Sequence, residues 1–387
     1  MIDTNFSSAV PGRARLLVDL DRLTANFCLL RDRLARHGTE PMAVVKAGAY
    51  GHGAIPVATA LWSAGCRRFA VSSLEEGLAL RAALPAAYIL VLGYVPPAAA
   101  PYAAEAELSL AVFSLAYAKT LSQHLGDRTL SVELKLNSGM NRLGLPLTPD
   151  RFEETLTSAL AIAADPRLRP RGVFSHLASA DRPGDGATAL AVSRFRAAVG
   201  ALFRRGLPLP AHLAASAAVL GGIGEGFPFA RLGLALYGYA GTADAAPSGL
   251  LPVARLEADI ASVFTVARGE TVGYGGSFRA RRREVIGILP LGYADGLLRS
   301  AEGALVRVGG RLCPLVGRIS MDAAAVLLTG VPRRRATVAT VFGDEPNDLY
   351  RLAEAAGTIP YELLAGLGPR IDRKYSYGKD PGTCDTE

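Results

Sequence analysis

The sequence has few of the residues that build metal centres and disulfide frameworks. Its 387 residues include four cysteines, five histidines and one tryptophan. The cysteines, at positions 28, 66, 313 and 384, are scattered, and no pair has the spacing of a metal site or looks like a disulfide framework. We therefore expect no bound metal, and the cysteine usage fits a reducing cytoplasm.

The sequence also lacks a long uninterrupted hydrophobic run. The longest apolar stretch, near residues 86–104, is broken by Gly93 and by prolines at 96, 97 and 101. We predict a strand and loop there rather than a membrane span. The N-terminal residues have no apolar segment and carry charges at Asp3, Arg13 and Arg15, so they do not resemble a secretory signal. We expect a cytoplasmic protein without a membrane partner.

Charge is plentiful but does not indicate a nucleic-acid partner. The formal net charge is +7, and arginines cluster at 279–283 and 333–335. A nucleic-acid site would combine such runs with a recognisable module or stacking aromatics, and neither is visible. We interpret the clusters as solvated loops.

Half of the residues are hydrophobic and a fifth are charged, which is typical of a globular protein large enough for two domains. A strand at 16–20 and an amphipathic helix at 21–37 come first. Eight short apolar runs then alternate with helical patterns, which predicts a closed (β/α)8 TIM-type barrel. The runs are 42–47, 68–72, 87–92, 108–113, 131–136, 171–176, 211–216 and 232–237.

After about Gly241 the pattern changes to short β-type runs separated by glycine- and arginine-rich turns. This predicts a C-terminal mostly-β domain, with short helices at 348–356 and 360–367. We expect four segments. They are an N-terminal arm (1–14), the barrel (15–241), the β domain (242–378) and a flexible tail (379–387).

One segment combines a buried strand with a reactive side chain. Residues 43–53 read Ala-Val-Val-Lys-Ala-Gly-Ala-Tyr-Gly-His-Gly, which places Lys46 at the C-terminal mouth of the first barrel strand. Burial there lowers the pKa of the amine and frees it for Schiff-base chemistry. A plain surface lysine is the alternative. The segment closely resembles the pyridoxal-phosphate lysine motif of the alanine racemase family, the fold-type III racemases.

The resemblance extends from about residue 15 to 375, with the matching segments in the same order. It implies that pyridoxal 5'-phosphate is held covalently by Lys46. It also implies that Arg231 faces the pyridine nitrogen. A guanidinium stays protonated and only donates, so that nitrogen stays unprotonated and transamination is restrained. The other cofactor-binding residues implied are Tyr50, Arg142, His176, Ser216, Gly233, Leu234 and Tyr361.

Some of these residues have simpler readings on sequence alone. Arg231 is compatible with a salt bridge at the barrel rim, and His176 with a satisfied core histidine. Lys135 matches a lysine that is often carbamylated in the family, and its alternative is a structural ion pair.

In the β domain, Tyr274 resembles the family's second catalytic base, which reaches the active site of a partner subunit. The resemblance implies a homodimer with shared sites. Met321 and Asp322, with Arg142, match positions that hold the substrate. Asp181, Tyr293 and Arg299 match an entry corridor.

The resemblance thus implies a racemase of small amino acids, most simply L-alanine to D-alanine for peptidoglycan, by a two-base mechanism with Lys46 and Tyr274. The sequence departs from the family pattern at Gly48, at Ala215, at Asn137-Ser138 and at Ala323, and these departures leave the preferred amino acid open. Three alternatives remain. They are a serine or broader-specificity racemase, a non-catalytic pyridoxal-phosphate-binding barrel, and a decarboxylase of the same fold type.

Overall fold

The computed structural model describes residues 12–182, 184, 186–224, 226–242, 249–345 and 347–378. Most of the predicted arm (residues 1–11) and the whole predicted tail (379–387) lie outside the described residues. Among the described residues, no helix is long and apolar enough to cross a membrane.

The first sheet is a closed barrel of eight parallel strands, which confirms the predicted fold class. The strands are β2 (Glu40–Val44), β3 (Arg68–Val71), β4 (Tyr88–Val91), β5 (Ser109–Val112), β6 (Leu130–Asn137), β8 (Leu168–Phe174), β9 (Ala211–Ala215) and β10 (Phe229–Leu232). Each pairs in parallel with its neighbours, and β10 closes the barrel by pairing with β2. A short strand, β7 (Leu145–Pro146), pairs in parallel with the end of β6.

Helices surround the barrel, and the longer ones each bury one apolar stripe. In the first helix, Leu23, Phe27, Leu30 and Leu34 are all buried, as the spacing predicts. The helices are α1 (Leu20–Ala35), α2 (Lys46–Tyr50), α3 (Ala54–Ser63), α4 (Leu74–Ala83), α5 (Ala100–Glu105), α6 (Leu115–His124), α7 (Phe152–Ala163), α8 (Gly186–Arg204) and α9 (Ser216–Leu220). The C-terminal region adds α10 (Asp348–Ala356) and α11 (Pro360–Ala365).

The second sheet has nine strands and forms the mostly-β domain. In spatial order it runs β12, β15, β18, β17, β16, β19, β11, β1, β20. Its strands are β1 (Ala14–Asp19), β11 (Ala254–Asp259), β12 (Ser262–Val266), β15 (Glu284–Leu289), β16 (Leu305–Val308), β17 (Arg311–Val316), β18 (Ala324–Leu327), β19 (Val338–Phe342) and β20 (Asp372–Ser376). A separate pair, β13 (Thr271–Val272) and β14 (Phe278–Arg279), carries the Tyr274 turn between its strands.

The N-terminal strand β1 belongs to this second sheet. It pairs antiparallel with β11 and parallel with β20, both of which are distant in sequence. The described part of the chain therefore starts with a strand of the β domain, then forms the whole barrel and returns to the β domain. The two domains are consequently tied together at both ends of the described chain.

The structure corrects three local predictions. The eighth run is a strand only to Leu232, and residues 234–237 form a 3-10 helix instead. Residues 97–105, predicted as loop, are helical because Pro97 and Pro101 occupy first-turn positions, where proline is tolerated. The strands β11, β17 and β20 have no counterpart among the predicted runs. Two of the cysteines, Cys66 and Cys313, are free and buried.

Candidate active site

Lys46 begins an unusual turn at the end of the first barrel strand. Met42, Ala43, Val44 and Val45 are buried, and the chain then enters α2 with positive φ angles. The φ values are 51° at Ala47, 61° at Gly48, 55° at Ala49 and 53° at Tyr50. The segment 47–50 is therefore a single left-handed turn, which we call the lysine turn. No strand or helix periodicity indicates it in advance.

The lysine turn is strained because L-residues avoid this conformation, at a cost of roughly 1–2 kcal/mol per residue. Such strain persists where the surroundings fix the backbone. His52 supplies one restraint, since its Nδ1 lies 3.1 Å from the Ala49 oxygen and 2.9 Å from the Tyr50 oxygen. Strand β20 supplies another, because Arg373 donates to the Gly51 oxygen at 2.7 Å. The β domain thus buttresses the turn that carries Lys46.

Burial and neighbouring positive charges lower the pKa of both lysines at this barrel mouth. Burial lowers the pKa of Lys46, and the nearby Arg142 and Arg231 lower it further, while Glu76 opposes them. Burial, followed by Arg142, Arg231 and Lys46, lowers the pKa of Lys135 to about 8. The site therefore concentrates positive charge and holds lysines that deprotonate more readily than free ones.

A cradle of backbone amides lies where β9 and β10 end. The Ser216 hydroxyl accepts hydrogen bonds from the amides of Gly233 at 2.9 Å and Ala235 at 3.3 Å. A Cβ added to Gly233 would lie 2.5 Å from the Tyr50 hydroxyl, so only glycine allows this close approach. Amides and hydroxyls on a small turn of this kind suit a phosphate group.

The Arg231 side chain is buried in the barrel interior and hydrogen-bonded there. Its Nη2 donates to the carbonyl oxygens of Ser175 at 2.7 Å and Leu213 at 3.0 Å. The same nitrogen lies 3.3 Å from Nδ1 of His176. Burial lowers the pKa of Arg231 to about 10, which still leaves it charged at neutral pH. Burial, followed by Arg231, lowers the pKa of His176 to about 3, so this imidazole is neutral.

A buried chain of polar groups supports Arg231 from behind. Nη1 of Arg231 lies 2.5 Å from Nδ1 of His212, and Nε2 of His212 lies 2.5 Å from Glu133. The other Glu133 oxygen accepts from the Tyr88 hydroxyl at 2.5 Å. Because a guanidinium only donates, Nδ1 of His212 is the acceptor and Nε2 carries the proton.

Burial lowers the pKa of His212. Burial by itself would raise the pKa of Glu133, but His212 and Tyr88 outweigh it and the net shift is downward. The chain therefore holds an ionised carboxylate, a neutral imidazole and a charged guanidinium. Sequence reasoning missed Tyr88, Glu133 and His212 as site residues. The signal was present, since Glu133 and Lys135 alternate within one apolar strand and so share its inner face.

The β-domain helix α11 reaches the barrel mouth in the same chain. The Tyr361 ring lies 6.1 Å from the Tyr50 ring. Burial raises the pKa of Tyr361, and Asp181 raises it further, which places Asp181 beside this helix. The two tyrosines and Asp181 thus lie next to the cradle.

The remaining predicted residues lie together on the β domain. Tyr274 is 69 % exposed and Met321 is 53 % exposed. The Tyr274 turn contacts the loop at 317–318, since a Cβ on Gly273 would meet the Arg318 amide at 2.9 Å. The amides of Tyr293 and Ala294 donate to the carbonyls of Ser320 and Met321, respectively. These loops form one continuous surface, which we call the β-domain face.

The structure therefore divides the predicted residues into two groups. The barrel mouth holds Lys46, Tyr50, Lys135, Arg142, His176, Asp181, Ser216, Arg231, Gly233, Leu234 and Tyr361. The β domain holds Tyr274, Tyr293, Arg299, Met321 and Asp322, all of them exposed. Tyr274 is not among the groups that shift the pKa of Lys46 within this chain.

Comparison with known proteins gives one consistent family. Residues 18–241 match the family model "Alanine racemase, N-terminal domain", and residues 253–375 match "Alanine racemase, C-terminal domain". An alanine racemase of Methylobacterium nodulans is 40 % identical over 373 residues, which cover 94 % of this chain and 96 % of that protein.

Solved structures agree. The alanine racemase of Streptomyces coelicolor superimposes with a TM-score of 0.86 at 36 % identity, covering 94 % of this chain and 98 % of its own. The alanine racemase of Bacillus anthracis with bound L-Ala-P gives a TM-score of 0.88 at 31 % identity, and 97 % of each chain is covered. With both domains matched in order and the barrel mouth built as described, the chain belongs to the alanine racemase family of isomerases.

Proposed function

We propose that this protein interconverts L- and D-alanine with the help of pyridoxal phosphate. The observation that carries the proposal is the half-buried Lys46 amine, whose pKa burial lowers, at a barrel mouth that also holds the Ser216–Gly233 cradle. A lysine of this kind forms covalent bonds with carbonyl compounds. The cradle supplies the phosphate-binding half of the same site.

The residues present fit this cofactor. Ser216, Gly233 and Leu234, with the hydroxyls of Tyr50 and Tyr361, would hold the phosphate. Arg231 would donate to the pyridine nitrogen, and the neutral His176 would pack against the ring. Arg142 would donate to the phenolic oxygen. When bound, pyridoxal phosphate withdraws electrons from the substrate and so acidifies its α-hydrogen.

Two groups would exchange that proton. Nζ of Lys46 removes or returns it on one face of the substrate carbon, and the Tyr274 hydroxyl acts on the opposite face. Since Tyr274 is exposed on the β-domain face, it would come from a partner subunit in a two-fold homodimer. The two exposed β-domain faces would then each cover the other chain's barrel mouth.

Lys135 would carry a carbamate. Its pKa of about 8 gives a neutral amine fraction near physiological pH, and only the neutral amine reacts with carbon dioxide. A carbamate is anionic and would offset the excess of positive charge from Lys46, Arg142 and Arg231. It would also accept hydrogen bonds from Arg142, which would orient that guanidinium for cofactor and substrate.

The substrate carboxylate would bind Arg142 and the Met321 segment of the partner. Asp322 would help to hold the substrate indirectly. Its carboxylate accepts a hydrogen bond from Arg370 at 2.7 Å and so fixes the Met321 loop. Asp181, Tyr293 and Arg299 would line the entry. We place the enzyme in the cytoplasm, where its D-alanine would supply peptidoglycan synthesis. The β-domain face argues against a non-catalytic barrel, because a cofactor carrier has no need of it.

The test is circular dichroism of single L-amino acids incubated with the purified, cofactor-loaded protein. L-Alanine should lose its signal fastest, and L-serine should follow more slowly. Borohydride reduction and peptide mapping should find the cofactor on the Lys46 peptide. A cofactor fixed elsewhere would contradict the assignment of Lys46, and faster loss of serine would make this a serine racemase.

A further inference from the structure

Glu76 connects the lysine turn to the neighbouring βα unit. It lies in the first turn of α4, where Ser73 caps the helix and accepts from the Glu76 amide at 3.3 Å. One carboxylate oxygen of Glu76 accepts from the Ser72 amide at 2.7 Å and the Ser73 amide at 3.3 Å, as in an ordinary capping box. The other oxygen reaches across and accepts from the Ala47 amide at 2.6 Å.

The second contact is not required for capping. Ala47 directly follows Lys46 and is the first residue of the left-handed turn, with a φ of 51°. The Glu76 oxygen therefore anchors the peptide between Lys46 and Ala47, at the point where the left-handed turn begins. Among the groups that shift the pKa of Lys46 in the described chain, only Glu76 raises it, against burial, Arg142 and Arg231.

We propose that Glu76 is a positioning residue for Lys46: its carboxylate caps α4 and at the same time anchors the peptide between Lys46 and Ala47, and so aims the Lys46 amine. A carboxylate suits this double task because it has two acceptor oxygens. A glutamine has one acceptor and would lose either the cap or the turn. The inference rests on the proposed role of Lys46, but its test does not need turnover.

The experiment uses the full-length chain stripped of pyridoxal phosphate and treated with an amine-reactive reagent over a range of pH. Mass spectrometry follows the Lys46 peptide, with the exposed Lys119 as an internal reference. The variants are Glu76→Gln, Glu75→Gln and Ser73→Ala. Glu75→Gln removes the same charge from the same helix turn, and Ser73→Ala weakens the cap while leaving the contact with Ala47.

We expect Glu76→Gln to shift the midpoint of Lys46 modification to lower pH and to weaken binding of added pyridoxal phosphate at least tenfold. Neither control should shift the Lys46 midpoint, and Lys119 should not move in any variant. If Ser73→Ala reproduces the Glu76→Gln profile, Glu76 is only a cap and the proposal is wrong. The proposal also fails if Glu76→Gln matches the unsubstituted protein.

A further variant, Glu76→Asp, is used if circular dichroism shows that Glu76→Gln does not fold. Aspartate keeps the charge but is too short to hold both contacts, so the Lys46 midpoint should stay near that of the unsubstituted protein while cofactor binding weakens. Unchanged binding would overturn the positioning role. Failure of the unsubstituted protein to bind pyridoxal phosphate would instead refute the proposed function, whatever the Lys46 midpoint does.

Discussion

Glu133 accepts a hydrogen bond from Nε2 of His212 at 2.5 Å in the barrel interior. Because Nε2 then carries the proton, Nδ1 of the same ring is free to accept from Arg231. The carboxylate thus determines which tautomer of His212 faces the guanidinium. It acts on the proposed cofactor site through His212 and Arg231. This relationship gives the first prediction.

Glu133→Ala should destabilise the protein by about 3–5 kcal/mol, because it leaves Arg231 as a buried charge without its counterion. Glu133→Gln should cost less, since the amide oxygen can still accept from His212. Urea unfolding at neutral pH measures both. Equal losses for the two variants would show that the lost negative charge, which both variants remove, outweighs the cavity and the lost acceptor that only Glu133→Ala produces.

The same carboxylate makes stability depend on pH. Its pKa in the folded protein lies below the ordinary value of 4.5. The unfolded state therefore binds the proton more readily in acid, and the stabilisation is present above about pH 4.5 and disappears as the pH falls through the folded pKa. The difference in unfolding free energy between the unsubstituted protein and Glu133→Gln should shrink in that acid range. A difference that stays constant with pH would contradict an ionised Glu133.

Replacing Arg231 tests its role at the pyridine nitrogen. Arg231→Glu allows that nitrogen to be protonated, so racemisation should fall and transamination should rise. Arg231→Lys keeps a positive charge and is the matched control. In it, the ratio of racemisation to transamination should stay close to that of the unsubstituted enzyme. D-Alanine and pyruvate measured from the same reaction give the partition. An unchanged ratio in Arg231→Glu would refute the role.

The cradle makes a steric prediction. Gly233→Ala places a Cβ 2.5 Å from the Tyr50 hydroxyl, so one of the two must move. Affinity for pyridoxal phosphate, titrated by absorbance, should fall at least tenfold. Adding Tyr50→Phe removes the clashing oxygen and should recover part of the loss relative to Gly233→Ala alone. No recovery in the double variant would show that the added methyl disturbs a different contact.

Carbamylation of Lys135 predicts a dependence on dissolved carbon dioxide. Thorough degassing should lower the activity of the unsubstituted enzyme, most at pH values well below 8, where less neutral amine is available to re-form the carbamate. Lys135→Gln should be less active, and its activity should not depend on the concentration of carbon dioxide. A ¹³C signal from labelled bicarbonate, present in the unsubstituted protein and absent in Lys135→Gln, identifies the group directly. Equal activity of the unsubstituted enzyme with and without carbon dioxide would count against it.

The two-chain site predicts complementation. Homodimers of Lys46→Ala and of Tyr274→Phe should both be nearly inactive, because each site lacks one base. In a mixed dimer, one site receives Lys46 from one chain and Tyr274 from the other and is intact. Co-expressed and purified mixed dimers should recover activity that neither parent shows. Mixed dimers as inactive as the parents would place both bases in one chain.

The sequence by itself determined the barrel, because hydrophobic runs of strand length alternating with amphipathic helices have few other solutions. It also indicated the lysine at the end of the first barrel strand, whereas the arginine on the last strand was indicated only by the resemblance to the racemase family. The change of pattern near Gly241 separated the barrel from the β domain. These are local signals, carried by period and composition.

Only the tertiary structure showed which residues contact and orient Lys46 and Arg231. Strand β1 pairs with β11 and β20, and a strand does not encode its partners when these are distant in the chain. The lysine turn is held by Glu76 of α4, by Arg373 of β20 and by His52 in the loop that follows it, whereas Ala47 and Ala49 have no preference of their own for a left-handed backbone. Tyr88, Glu133 and His212 join Arg231 only because the closed barrel brings side chains of four strands, β4, β6, β9 and β10, together in its interior.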